Sequence, residues 1–152
     1  MLLARGAIVD PCNRYQNTPL SYASRNGHEE IVRLLLAEDS VDPHKANSYG
    51  EVPLHLAAKR GHKLIVKLLL EEEDVDVNVQ DSNGCTCLCL AAREGHVEVV
   101  QLLLEQDGII VDCEDNDGRT PLWWARREGH PDVERLLEVH LSAPETVLLT
   151  AD

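Results

Sequence analysis

Cys85, Cys87 and Cys89 stand at alternate positions, and His28, His62, His96 and His130 each follow a glycine at a constant spacing of 34 residues. Thiolates and imidazoles are the usual zinc ligands, and histidine is also the common general acid and base. Neither set completes a site. The cysteines span a turn and a helix start with no fourth ligand at structural zinc spacing, so they read as substitutions at repeat positions and no metal is expected. The chain has no Ser-His-Asp order, phosphate-cradling glycine loop or HExxH pair. No catalytic residue, enzyme activity or cofactor is therefore assigned.

Recognition chemistry is better represented. Arg25, Lys59, Arg93 and Arg127 fall at one repeat position, with Arg60 and Arg126 beside them. Stacked at the usual helix spacing of roughly 10 Å, they would form a basic rail. Two readings stay open: cations favoured at helix C-termini, and a groove for an acidic ligand. Tyr15 and Tyr49 occupy equivalent turn positions, where a tyrosine gains little from its own fold, and exposed aromatics anchor interfaces. Trp123 is divided between packing and contact. Trp124, which aligns with Leu56 and Leu90, is assigned to the core.

A fixed period means one structural unit repeated, and the segments TPLSYA, VPLHLA, TCLCLA and TPLWWA precede the four Gly-His pairs. In the third copy, Asp81-Ser82-Asn83-Gly84 has the residue preferences of a type I turn. Leu88, Leu90, Ala91 and Ala92 then give a two-turn helix that ends at Gly95. Val99, Val100, Leu102, Leu103 and Leu104 recur at helical spacing, with Glu98, Gln101 and Glu105 on the other side. The unit is thus a hairpin-like finger followed by two antiparallel helices.

The 152-residue chain carries 27 acidic and 14 basic residues, a formal net charge of -13. Its average field repels phosphate backbones, so neither nucleic acid nor an anionic membrane is expected as partner. There is no signal-peptide pattern and no long apolar run. Five cysteines, an odd number, call for no disulfide framework. A cytoplasmic setting is expected, with the nucleus left open.

The period is shared with tetratricopeptide repeats, but the turn-rich stretch Asp74 to Gly84 and the lack of any Phe argue against that family. VPLHLA at Val52–Ala57 and TPLWWA at Thr120–Ala125 resemble the T-P-L-H-x-A signature of ankyrin repeats. The resemblance runs from about Asn13 to Glu138, with one extra residue per unit in the finger. The variant is similar to arrays of filamentous fungi. Departures are Cys87 for the Pro, Ser21, Cys89 and Trp123 for the His, and Gln16 for the turn Gly.

The resemblance implies an all-α solenoid of four helix-turn-helix units with β-hairpin-like finger loops. The units are expected at 13–46, 47–80, 81–114 and 115–138, after a 1–12 remnant of a preceding unit and before a 139–152 tail. It implies a non-catalytic protein-protein interaction module whose concave face holds a protein or peptide, here with acidic groups. The contact positions would be Arg14, Tyr15, Asn17, Ser48, Tyr49, Glu51, Ser82, Asn83, Cys85, Asn116, Asp117 and Arg119 on the fingers. Arg25, Lys59, Arg60, Arg93, Trp123 and Arg127 would join them from the first helices. The alternative is a regulatory or sensor segment of a larger NTPase-type signalling protein that contacts its own upstream domain. The Gly-His histidines are implied to cap each second helix and to bond backbone groups, and His55 to tie loops.

The ends differ. Glu134 and Glu138 replace apolar residues of the other units, as expected of a C-terminal cap. Met1, Leu2 and Leu3 align with Leu35, Leu36 and Ala37, so the chain reads as beginning inside a helix, as the tail of a longer array or as a short product. A monomer is expected, with self-association through that uncapped end as the other outcome. Ser142-Ala143-Pro144-Glu145 fits a capping box for a short helix carrying Val147, Leu148 and Leu149.

Overall fold

The computed structural model describes residues 11–143. The expectations for Met1 to Leu3 and for a helix after Pro144 lie outside them. Eight helices form among the described residues: α1 (Pro19–Asn26), α2 (Glu29–Leu36), α3 (Pro53–Arg60), α4 (Lys63–Leu70), α5 (Cys87–Glu94), α6 (Val97–Leu104), α7 (Pro121–Glu128) and α8 (Pro131–Ser142). None is long and apolar enough to cross a membrane.

Each first helix starts where its sequence says it should. The hydroxyls of Thr18, Thr86 and Thr120 accept the amides of Ser21, Cys89 and Trp123, satisfying donors that a helix start leaves orphaned. Val52 cannot do this. There His55 reaches back, and its Nδ1 accepts the Val52 amide at 3.1 Å. Left-handed glycines at 27, 61, 95 and 129 end these helices.

The helices form two rows. In the first, α1, α3, α5 and α7 pack closely because Ala23, Ala57, Ala58, Ala91, Ala92 and Ala125 line their contacts. Ser24 stands where α3 and α5 carry Ala58 and Ala92, and its buried hydroxyl has no hydrogen-bond partner among the described residues. The second row, α2, α4, α6 and α8, touches less. Between the rows runs one continuous core that includes Leu20, Val32, Ile65, Val66, Leu88, Val100, Leu103 and Leu137. Apolar packing of this kind contributes about 25 cal/mol per Å² removed from water.

The fingers are turns; no β-strand forms among the described residues. Each tip is built identically. Oδ1 of Asn13, Asn47, Asp81 and Asp115 accepts the amides two and four residues ahead, at 2.9 to 3.0 Å. The expected turn is present, with the Gly84 amide donating to Asp81 O at 2.9 Å. Adjacent tips are joined by one backbone bond each, from Ser48 to Tyr15, Ser82 to Tyr49 and Asn116 to Asn83. Gln16, at the position of the turn glycine, has a φ of 62°. A side chain in that region is strained by about 1 to 2 kcal/mol.

The Gly-His histidines bond backbone groups as expected, but those of the preceding unit and not those of their own helix. His28, His62, His96 and His130 occupy the first-cap positions of α2, α4, α6 and α8, but none makes a side-chain cap bond. Instead, Nε2 of His62, His96 and His130 donates to the carbonyl of Arg25, Lys59 and Arg93 in the preceding unit, each at 2.9 Å. The ring lies against the glycine of that unit, where no Cβ intervenes. The repeat is thus stapled through its own signature.

At the far end, Arg126 pairs with Glu134 at 2.8 Å and Glu138 at 2.5 Å. This is why the two apolar positions of the other units carry Glu here. Helix α8 continues past Glu138 to Ser142, whose hydroxyl donates to Glu138 O at 2.8 Å. Ser142 therefore closes α8.

Candidate functional site

Four classes of sequence-selected residue come together on the face formed by the finger tips and the first-row helices. At one end, the Arg14 guanidinium lies 4.6 Å from the Tyr15 ring centre. Tyr15 and Tyr49 stack on one another with centroids 6.2 Å apart. Both keep a free edge, Tyr49 more so at 55% exposure. Asn17 supports this end, its Oδ1 accepting from Asn47 Nδ2 at 2.9 Å.

At the other end, cations and indoles alternate. Arg93 lies 5.0 Å and Arg119 4.5 Å from Trp124, and Arg119 5.5 Å and Arg127 5.4 Å from Trp123. The two indoles meet edge to face at 5.0 Å. Consecutive residues near the start of α7 supply both rings, and the finger before it supplies Arg119. Cation–π contacts are worth about 0.5 to 1 kcal/mol when exposed, so the stack holds a rigid amphipathic surface in place.

Trp124 corrects the sequence reading. It is half-buried and joins a small second cluster with Cys85, Cys89 and Leu90, apart from the main core. Leu56 and Leu90 are buried at the equivalent positions. No first-row helix lies beyond α7 among the described residues, and the Trp124 ring remains open on one side. Its Nε1 donates to Asp115 Oδ2 at 3.1 Å.

Asp115 is the electrostatic pivot. Burial pushes its carboxyl up, but the amides of Arg119 and Asp117, the Trp124 indole and the Arg119 guanidinium outweigh it and hold the group below its ordinary value. Asp117 also pairs with Arg119. Both anions fix the guanidinium that separates the indoles. The aromatic stack therefore depends on an ionised Asp115.

Between the two ends lies a cavity of about 230 Å³ whose lining includes Glu51, Lys59, Asn83, Cys85, Arg93, Asp117, Arg119 and Trp124. The basic rail is not uniform. Lys59 is half-buried and 3.8 Å from Glu51, and Arg93 is half-buried and 3.4 Å from Glu94. Arg25, Arg60 and Arg127 are exposed. Arg126, placed beside the rail by sequence, is held by Glu134 and Glu138.

The cysteines separate by alternation. Cys87 enters the main core, where burial pushes its thiol up. Cys85 and Cys89 fall in the second cluster, and their sulfurs lie within 4.8 Å of each other and of an Asp115 oxygen. This three-atom set resembles a metal centre only in outline. Both Asp115 oxygens already accept several N–H groups, and Arg93 and Arg119 bring positive charge beside it. His55 is fully buried and ties loops as expected: its Nε2 donates to Val79 O at 3.0 Å and Cys85 O at 3.2 Å.

No curated protein matches the chain. A family model described as ankyrin repeats (3 copies) matches residues 1–81 and 54–143. With its paired helices, finger turns and TPLH-type helix starts, the chain belongs to the ankyrin-repeat family.

Proposed function

We propose that this chain is a protein-binding module that takes an acidic protein segment or peptide on the face made by its finger tips and first-row helices. The observation that carries the reading is the Arg93–Trp124–Arg119–Trp123–Arg127 stack. Tryptophan and arginine are the residues most enriched among interface anchors. Trp123 is 38% exposed although its fold does not need it there. A partner carboxylate would meet Arg127 and the rail, while its apolar neighbours would lie on Trp123. Tyr15 and Tyr49 form the second contact region. Arg25, exposed on the rail, acts mainly on the rate of encounter, because rim charges steer more than they bind.

Quantitative affinity capture from extract tests this. Trp123→Ala with Arg127→Glu is expected to lose the partners held by the wild-type chain, since an anchor of this type contributes about 2 kcal/mol or more. Leu64→Ala, an exposed change on α4 in the second row, is expected to keep them. Equal capture by the wild-type chain and the double variant would remove the reading.

A further inference from the structure

We propose that Cys85 and Cys89 form an oxidisable dithiol that hydrogen peroxide closes into a disulfide. Only the third unit places two nucleophiles at this pair of positions: the others have Asn17 with Ser21, Glu51 with His55 and Arg119 with Trp123. Cys85 sits just before the helix cap and Cys89 one turn into α5, which directs both side chains to the same side. Their sulfurs are already within 4.8 Å, while the intervening Cys87 points into the main core and is removed from reach.

The surroundings favour one thiolate. The Cys89 S–H bond to Cys85 lowers the Cys85 thiol against the raising effects of burial, Asp81 and Asp115, and that same bond together with burial raises Cys89. Cys85 also lines the 230 Å³ cavity, which opens beside Lys59, Arg93 and Arg119 and has ample room for a peroxide molecule.

The Cys85 thiolate attacks one peroxide oxygen, the O–O bond breaks, and Cys85 becomes a sulfenic acid with hydroxide released. That hydroxide takes the Cys89 proton as water. The Cys89 thiolate then attacks the Cys85 sulfur and expels the second hydroxide, which is protonated by solvent. Two thiols are oxidised by two electrons and one peroxide is reduced to two waters.

The test is peroxide treatment of the dilute full chain, followed by denaturation, alkylation and peptide mass mapping. The wild type is expected to lose two hydrogens and two alkylatable thiols at Cys85 and Cys89, and to regain both with dithiothreitol. Cys87 and Cys113, whose thiols burial pushes up, should stay alkylatable. In Cys89→Ser, and in Cys89→Ala should the first fold poorly, Cys85 should stop at a sulfenic acid trapped by dimedone. The proposal is overturned if wild-type Cys85 passes to sulfinic acid with Cys89 still alkylatable, or if its disulfide partner is Cys87. Stoichiometric zinc in the purified chain, released when either cysteine is replaced, would overturn it too.

Discussion

Gly95→Ala is expected to lower the unfolding free energy by roughly 3 kcal/mol, while Gly129→Ala costs only about 1 kcal/mol. Both glycines are left-handed, at φ 78° and 76°, so backbone strain is common to the two. They differ in what a Cβ would meet. At Gly95 it would fall 2.5 Å from His130 Nδ1, and at Gly129 none of the described residues lies within 4 Å. The added methyl at position 95 must push the His130 ring away and break its 2.9 Å bond to Arg93 O. Urea denaturation of both variants checks this. Equal losses would mean that the histidine rings carry no coupling between units.

His55→Ala is expected to cost about 3 kcal/mol or more. It opens a space in a fully buried site and leaves the Val52 amide and the Val79 and Cys85 carbonyls without their partner. The same residue makes the fold acid-sensitive. Burial lowers the His55 pKa from its ordinary 6.5, against the raising effects of Asp81 and the two carbonyls. Nδ1 accepts a hydrogen bond, so the folded site holds the neutral ring. As pH falls below 6.5, the unfolded chain takes up a proton that the folded chain refuses. The unfolded state then binds more protons, and stability falls with pH through that window. Denaturant melts between neutral and acid pH should show this slope in the wild type and a shallower one in His55→Ala. Identical slopes would contradict it.

These two residues mark what was legible in the sequence. Local features were: the Asp81–Gly84 turn and the glycine that ends the first helix follow from residue preferences within one unit. The repeat carried them through the chain. What the sequence concealed were contacts between units. The His62 and Arg25 partners are 37 residues apart, so nothing local distinguishes a ring that caps its own helix from one that staples the previous unit. Alignment of Trp124 with Leu56 and Leu90 did not reveal that it packs on a separate cluster with Cys85 and Cys89 and stays half-buried. The candidate site shows the same division: Arg93, Arg119, Trp123 and Arg127 are identifiable by type and position, but their alternation around Trp124 is a property of stacking. Likewise Cys85 and Cys89 gain a common environment only when the next unit brings Asp115 from its finger and Trp124 from α7 to them.

The central claim is that the finger-and-first-helix face selects acidic sequence through an arginine–tryptophan stack. Selection of a random peptide display library on the immobilised chain tests it most directly. Enriched peptides are expected to place Asp or Glu beside an apolar residue, with binding lost on Trp123→Ala and Arg127→Glu together and weakened by added salt. Enrichment of basic or charge-free peptides, or of acidic ones that bind the double variant equally well, would contradict it.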